Sequence, residues 1–425
     1  FGLMLINGEG IESDKNKGYK YIKKVADGGN LDAMFLYGKC KLNENLSDKK
    51  EAVKYLKMAS DKGHSDSLQE YGNLLIKGDF VPMNKEEGLR CIKASVNKGN
   101  VNAIFQFGLM LFNGEEMKMN RKEGLIYIKK AVDKGCPEAM HFYGNLLLDG
   151  IDIPMNKKDG IHYIQLSADK GNVKAMHQIG LLLLNGNEIV PPNPTEAAKY
   201  IKNAADKNDP EFAFLYGEML FDGNGIRVDI EESAKYFKKG AELGNIKSMK
   251  RYSSMLFAGY GVTIDEIEGA KYLKMAADHG DAESMHKYGK FLLKNNKNDE
   301  KEAIEYIKKA AGKEDAQSMF DYGLMLFNGE HVQPNKEEGL KFIKKSSEFG
   351  EKIANVVVKA LFSDPNESKV DKVNVIECMK KEADKGDIEM IHEYGKHLYL
   401  GSGTQINYKE AAKYFKEKKY SFDGH

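Results

Sequence analysis

Four histidines occupy equivalent positions of a pattern that repeats along the chain. Imidazole nitrogens bind metal ions and transfer protons, so this row is the first feature of the sequence that suggests chemistry. The histidines are His141, His177, His286 and His392. Other copies of the pattern have a phenyl ring at the same position, at Phe35, Phe105, Phe214 and Phe320.

A metal site in this row would need ligands that the pattern does not supply. If His141 and His177 lie on neighbouring packed helices, they are about 10 Å apart. Zinc takes three or four ligands at about 2 Å, so a shared ion would need a shorter reach and further ligands. We expect no metal and no cofactor. We interpret the eight positions as rings at the rim of a groove and predict that they contact a binding partner.

The cysteines do not form a reactive or metal-binding motif. Cys91 and Cys378 occupy a position where most copies of the pattern have tyrosine, which predicts a place in the core. Cys40 and Cys136 fall at other positions, and the sequence has no C-x-x-C spacing. Four cysteines in a chain of this length do not build a disulfide framework, so we expect reducing, cytoplasmic surroundings.

Two further motifs fail the tests of their context. Ser47–Lys50 and Ser284–Lys287 match Ser-x-x-Lys, but neither Lys-Thr-Gly nor Ser-Asp-Asn accompanies them. The Gly-x-Gly pairs lie between two predicted helices, not between a strand and a helix as a dinucleotide site requires, for example Gly223 and Gly225. We therefore expect that the chain is not an enzyme.

Composition excludes several classes of partner. The 425 residues are 41% hydrophobic, which is enough for a continuous core. The chain has 64 basic and 64 acidic residues, without the basic excess of a nucleic-acid-binding protein. No stretch approaches the roughly 18 apolar residues of a membrane span. We expect neither nucleic acid nor a membrane span.

A repeat of 34 to 37 residues predicts the helices that carry the histidine and phenylalanine positions. Most copies of the repeat are marked by an aromatic residue before glycine. In most copies a second glycine six residues later ends the apolar run, as a helix C-terminus requires, whereas two copies lack it at 41–48 and 294–299. The first marker occurs at Phe1-Gly2, Tyr37-Gly38, Tyr71-Gly72, Phe107-Gly108, Tyr143-Gly144, Tyr216-Gly217, Tyr288-Gly289, Tyr322-Gly323 and Tyr394-Gly395.

A second helix follows in each copy. Its predicted N-cap is always Asn or Asp, whose side-chain oxygen accepts an amide of the first turn. A small residue and, three positions later, usually a tyrosine follow, which predicts close packing of the two helices. The predicted caps are Asp14, Asp48, Asn84, Asn120, Asn156, Asn193, Asp229, Asp265, Asp299, Asn335, Asp371 and Asn407.

These features resemble the Sel1-like repeat, a relative of the tetratricopeptide repeat. The resemblance is clearest in the run LYGEMLFDGNGI at 215–226, which continues to Gly244, and it extends over essentially the whole chain. It implies a right-handed, curved α-solenoid of about twelve helix-turn-helix repeats. It also implies that the first helices line a concave face and that the protein is an adaptor or scaffold. One departure is leucine where the family has an aromatic residue, for example Leu111 and Leu220.

We predict a single solenoid over 1–425, with a first repeat shortened at Phe1 and an irregular repeat near 351–374. Its expected function is non-catalytic binding of partner proteins on concave and edge surfaces. Two alternatives stay open: the regulatory part of a larger enzyme such as a protein kinase, and a structural component of a cytoskeletal-type assembly. The start at Phe1 in mid-helix suggests that the chain is part of a longer polypeptide.

Lysine doublets recur on the second helices and admit two interpretations. They could form a stripe for an acidic partner, or a solvated face stabilised by neighbouring acids. The doublets are Lys23-Lys24, Lys129-Lys130, Lys238-Lys239, Lys308-Lys309 and Lys344-Lys345.

Overall fold

Every regular element that the structure describes is helical, in agreement with the all-α prediction. The computed structural model describes residues 1–8, 10–43, 49–295, 299–363, 388–400 and 405–417, together with 376, 379–381 and 383–386. The helices alternate as predicted: a first helix ending near the second glycine of the repeat, then a second helix that begins at the Asn or Asp cap.

The chain divides into two compact units, Phe1–Lys207 and Asn208–His425. In the N-terminal unit the first helices are Gly2–Asn7, Leu31–Leu42, Ser65–Lys77, Val101–Asn113, Pro137–Asp149 and Val173–Asn185. The second helices of this unit are Lys15–Asp27, Lys49–Asp61, Lys85–Asn97, Arg121–Asp133, Lys157–Asp169 and Pro194–Asp206.

The C-terminal unit repeats this order. Its first helices are Pro210–Asp222, Ile246–Ala258, Ala282–Asn295, Ala316–Asn328, Lys352–Ser363 and Ile388–Leu400. Its second helices are Ile230–Glu242, Glu266–Asp278, Glu300–Gly312, Lys336–Glu348 and Tyr408–Glu417. The predicted irregular repeat begins with the regular helix Lys352–Ser363, and its residues 364–375 lie outside the described ranges.

An edge-to-face aromatic pair joins the two helices of most repeats. The aromatic residue before the first glycine packs against the tyrosine of the second helix, in the arrangement that ring quadrupoles favour. The ring centroids are 4.6 Å apart for Tyr216 and Tyr236, and 4.9 Å apart for Tyr252 and Tyr272. Tyr200, Tyr236 and Tyr272 are buried, as predicted for core aromatics, whereas Tyr21 of the first repeat is exposed.

The small residues of the repeat allow the same two helices to touch through their backbones. At Gly124, an added Cβ would lie 2.8 Å from the carbonyl oxygen of Gly108 and 2.7 Å from the amide nitrogen of Phe112. A side chain therefore cannot fit without moving the neighbouring backbone. Glycine is required here by the close approach of the helices, not by an unusual φ angle.

The predicted caps form, with one exception. In the described part of the second helices, Asn84, Asn120 and Asp229 each accept the amide hydrogen of the residue three positions later. Asp299 was predicted to do the same, but it precedes Glu300–Gly312 without a side-chain cap bond, since its φ and ψ of −100° and 14° depart from those of the capping residues. Asp48 and Asp371 lie outside the described residues.

Hydrogen bonds between tyrosine and aspartate join neighbouring second helices. The hydroxyl of Tyr200 donates to Asp169 at 2.7 Å, and that of Tyr306 donates to Asp278 at the same distance. Tyr55 makes the equivalent bond to Asp27. The aspartate ends one second helix and the tyrosine belongs to the next repeat, so each bond connects consecutive repeats.

These pairs predict a loss of stability at alkaline pH. Burial, reinforced by the Asp169 carboxylate, raises the pKa of Tyr200 to about 12. The folded state favours the neutral phenol, so its contribution is complete below the unfolded pKa of about 10 and is lost as the pH rises to about 12. Denaturant unfolding across this range should show a smaller alkaline loss in Tyr200→Phe than in the wild type. Parallel pH profiles for the two proteins would contradict the assignment.

Candidate functional site

In the N-terminal unit, the same side of successive first helices lines a groove of about 330 Å³. The lining residues come from Leu31–Leu42, Ser65–Lys77 and Val101–Asn113, and Glu138 adds the beginning of the next first helix. The residue three positions before the repeat glycine lines the groove in all three helices. Most copies of the repeat have histidine or phenylalanine at this position, and Ser65–Lys77 has Gln69.

Phe35 and Phe105, two of the eight predicted contact positions, lie in this groove. Both rings are half-buried. The ring centroid of Phe35 is 5.5 Å from that of His64, and the centroid of Phe105 is 6.1 Å from that of Phe142. The groove therefore has phenyl surface that is held in place by neighbouring rings and is partly open to solvent. That these rings contact a partner stays a prediction.

Charged side chains give the groove a net negative lining. Asp66, Glu70 and Glu138 contribute carboxylates, whereas Lys39 contributes the one ammonium group among the lining residues. Lys39 Nζ lies 3.3 Å from Glu70 and also 5.4 Å from the centroid of the Phe35 ring. Asp66 accepts a hydrogen bond of 2.7 Å from the side-chain amide of Asn100.

A row of carboxamide side chains crosses from one first helix to the next. Gln69 donates to Gln106 at 2.8 Å, and Gln106 donates back to Asn73. Two repeats further on, Gln178 donates to Asn145 at 2.8 Å. Each carboxamide offers two donors and an acceptor with two lone pairs, so these bonds leave capacity for another molecule. This row was not among the residues predicted from the sequence.

His141 belongs to the second of these groups, since its Nε2 lies 2.9 Å from the side-chain oxygen of Gln178. The histidine position is thus part of a hydrogen-bonded row between repeats. Among the residues that the structure describes, no group of three or more His, Cys, Asp or Glu side chains is placed to hold a metal ion.

His177 lines a second, mainly apolar pocket of about 510 Å³ in the N-terminal unit. Its walls include Leu148, Ile161 and Leu181. The preceding repeat fills the equivalent space with two rings, Phe112 and Phe142, whose centroids are 5.7 Å apart. The corresponding residues around the pocket are Leu148 and Gln178, which leave this volume open.

The predicted positions of the C-terminal unit have different surroundings. Phe214 is half-buried, with Lys247 Nζ 5.8 Å from its ring centroid. His286 is buried, and its Nε2 lies 2.7 Å from Asp321. Phe320 is also buried, because it packs in a cluster with Ala354 and Val357 of the next repeat. His392 is half-buried, and its ring centroid lies 6.0 Å from that of Phe415.

Ion pairs replace the carboxamide row in the C-terminal unit. Arg251 donates to Glu218 at 2.8 Å across two consecutive first helices. Lys290 approaches Asp321 at 3.0 Å, in the same way as His286. Contacts with Lys250 and Lys287 lower the pKa of Glu283 to about 2. The corresponding side of the first helices is therefore fixed by charges here and by neutral amides in the N-terminal unit.

Three of the five lysine doublets contribute an ion pair between repeats. Lys23 lies 2.6 Å from Glu51, Lys238 lies 3.3 Å from Glu268, and Lys345 lies 2.9 Å from Glu314. Each pair joins neighbouring repeats and is partly exposed, so solvent screens it and it adds little to the stability of the fold. These contacts agree with a solvated face that is linked by ion pairs.

The described cysteines are present as thiols, and Cys91 and Cys136 are buried. Burial raises the pKa of the Cys136 thiol to about 11, which suppresses the reactive thiolate near neutral pH. We expect iodoacetamide to modify the half-buried Cys40 well before Cys136 in the native protein, as followed by peptide mass spectrometry. Denatured protein, in which both react at similar rates, is the control. Equal native rates would contradict the burial of Cys136. Cys378 lies outside the described residues.

A family model described as Sel1 repeat matches most of the chain. The matches cover 2–30, 31–64, 101–136, 137–172, 173–209, 210–245, 246–281, 282–315, 316–348 and 388–417. No curated protein matches the chain in sequence. Within the described ranges, no helix is both long enough and apolar enough to cross a bilayer.

Solved structures resemble the chain at low sequence identity. The c5321 protective antigen of uropathogenic Escherichia coli, which displays an SLR fold, matches with a TM-score of 0.61 and 20% identity, over 94% of this chain and 86% of that one. A Sel1 repeat protein from Oxalobacter formigenes matches with a TM-score of 0.47 and 24% identity, over 72% of this chain and 89% of that one. At such identities the likeness to the first structure shows the fold alone.

Proposed function

The chain belongs to the Sel1 repeat family, and on that premise we propose that it is a non-catalytic scaffold or adaptor that binds partner proteins along the shared side of its first helices. Repeats of this family are generally protein-interaction folds. The observation that carries the proposal is the groove in which the half-buried rings of Phe35 and Phe105 lie near three carboxylates. Partly exposed aromatic side chains in a concave site are typical anchors for a protein ligand.

The proposal includes three further expectations. The two units act as one array over 1–425, the protein works in the cytoplasm, and the six half-buried members of the eight predicted positions face partners. Partner binding through several repeats would favour a single array, because each repeat contributes only part of an extended surface.

The test compares two alanine variants of the same repeat. Phe105→Ala removes a half-buried ring from the groove, whereas Ile126→Ala removes a side chain that is 68% exposed on the second helix. Tagged chains are used for native affinity capture at low and at high salt, with quantitative mass spectrometry. We expect one or more stoichiometric partners, with recovery about tenfold lower for Phe105→Ala and unchanged for Ile126→Ala.

Melting curves separate lost binding from lost folding. Capture is compared below the melting transition of both variants, so that all chains are folded. Recovery of the wild-type chain without partners would contradict the proposal, as would equal loss of partners in the two variants. That result would shift the interpretation toward a regulatory part of a larger enzyme.

A further inference from the structure

We infer that the groove and the apolar pocket of the N-terminal unit bind one extended peptide segment, which carries a cationic side chain and, about six to nine residues away, a bulky apolar side chain. This inference rests on the proposed function and specifies its ligand. Residues at three equivalent positions of the first helices line both cavities: Phe105, Gln106 and Leu109 in the groove, and His177, Gln178 and Leu181 in the pocket.

The charge of the groove selects the cationic residue. Its three carboxylates outnumber the single ammonium group of Lys39. The Glu70 carboxylate is about a third exposed and is only partly neutralised by Lys39 at 3.3 Å. A lysine or arginine side chain that lies along Phe35 and Phe105 would place its alkyl stem against phenyl surface and its charge beside Glu70 and Glu138.

The pocket selects the apolar residue. Its 510 Å³ lie where leucine and glutamine replace the two rings of the preceding repeat, so the missing volume corresponds to aromatic side chains. Ile164 and Ile179, both only 2% exposed, provide a fixed apolar floor. A phenylalanine, leucine or methionine from the ligand would restore the contacts that Phe112 and Phe142 make in the neighbouring repeat.

The carboxamides belong to the two cavities or lie beside them: Gln106 lines the groove, Gln178 lines the pocket, and Asn145 is bonded to Gln178. Gln106, Asn145 and Gln178 hold each other or their neighbours in place and keep unused donors and acceptors. An extended peptide presents backbone amide and carbonyl groups at regular intervals. Carboxamides can form hydrogen bonds with both groups, whatever the side chains of the peptide are. The carboxamides would therefore position the backbone of the ligand, and the charged and apolar walls of the two cavities would specify its sequence.

The spacing follows from helix packing. Neighbouring packed helices are about 8–10 Å apart, and an extended chain advances about 3.3 Å per residue. One repeat therefore corresponds to about three residues of ligand. The groove is lined by Ser65–Lys77 and Val101–Asn113, and the pocket lies beside Val173–Asn185, which is three repeats beyond the first of these helices and two beyond the second. A helical ligand would need about fourteen or more residues for the same span.

The test selects a displayed library of random 20-residue peptides on the full chain. We expect enrichment of Lys or Arg and of Phe, Leu or Met at one fixed separation of about six to nine residues. The dissociation constant of the best labelled peptide is then measured by fluorescence anisotropy. Glu70→Lys should weaken binding at least about fivefold, and the effect should shrink at high salt.

Leu148→Phe is the sharper variant, because it restores the ring that the preceding repeat has at this position. It should weaken binding about tenfold or more by filling the pocket, without lowering the melting temperature. Ile126→Ala is the matched control and should bind like the wild type. Unchanged affinity in Leu148→Phe would overturn the inference, as would a separation of fourteen or more residues or a library that yields no common spacing.

The outcome is independent of the capture experiment. Captured partners that depend on Phe105 but not on Leu148, together with a library lacking the predicted spacing, would leave the scaffold proposal intact and remove only the peptide inference. Absence of captured partners would contradict the scaffold proposal itself, whatever the library yields.

Discussion

Replacing Tyr272 with alanine is expected to lower the free energy of unfolding by about 3–5 kcal/mol. Tyr272 is 3% exposed, and its ring packs edge-to-face on Tyr252 at 4.9 Å. It also belongs to the buried cluster that contains Phe237 and Met249. Alanine would leave a cavity between the two helices of one repeat and the preceding repeat, and the surrounding backbone can only partly collapse into it.

Ile267→Ala on the same helix is the matched control. Ile267 is 82% exposed, so its removal should change the stability by no more than about 0.5 kcal/mol. Both variants are measured by denaturant unfolding followed by circular dichroism. A Tyr272→Ala curve that overlays the curve of the control would exclude a core role for this tyrosine.

The second large effect is expected for Gly339→Ala, with a loss of at least about 2–3 kcal/mol. An added Cβ would lie 2.7 Å from the carbonyl oxygen of Gly323 and 2.8 Å from the amide nitrogen of Phe327. Both contacts are to backbone atoms, so no change of rotamer relieves them. The first helix Ala316–Asn328 must move away from Lys336–Glu348, which also disturbs the aromatic pair between them.

Gly312 in the preceding repeat provides the comparison. An added Cβ there meets nothing within 4 Å, and its φ lies outside the left-handed region. Gly312→Ala should therefore leave the stability unchanged or raise it by up to about 1 kcal/mol, because alanine restricts the unfolded chain. Equal destabilisation by the two substitutions would show that general helix effects, and not the close approach of the two helices, govern Gly339.

The helices could be predicted from the sequence because their ends are defined locally. A cap such as Asn84 and a terminal glycine such as Gly114 act within one turn, and the same local signals recur in repeat after repeat. Gly114, which follows the helix Val101–Asn113, adopts φ 76°, the left-handed conformation that its position required. Asp299 shows the limit of such signals, because a cap needs the backbone before it in a suitable conformation.

The surface was harder to predict because its geometry depends on residues about 35 positions away. Phe320 and Phe105 occupy equivalent positions, yet the first is buried beneath Val357 and the second lines an open groove. His141 reaches a glutamine and His286 reaches an aspartate for the same reason. The apolar pocket arises where Leu148 and Gln178 replace the two rings of the preceding repeat, and only the packing of the helices shows that these two substitutions open one pocket.

The edge-to-face aromatic pairs have a consequence for how this protein can change over generations. They recur in both units, and they use helix positions other than those that line the groove. A mutation at Gln106 or Leu148 can thus alter the groove or the pocket while the aromatic pairs that join the helices stay unchanged. Duplication of a repeat, followed by drift at its groove positions, can create a new specificity without loss of the fold.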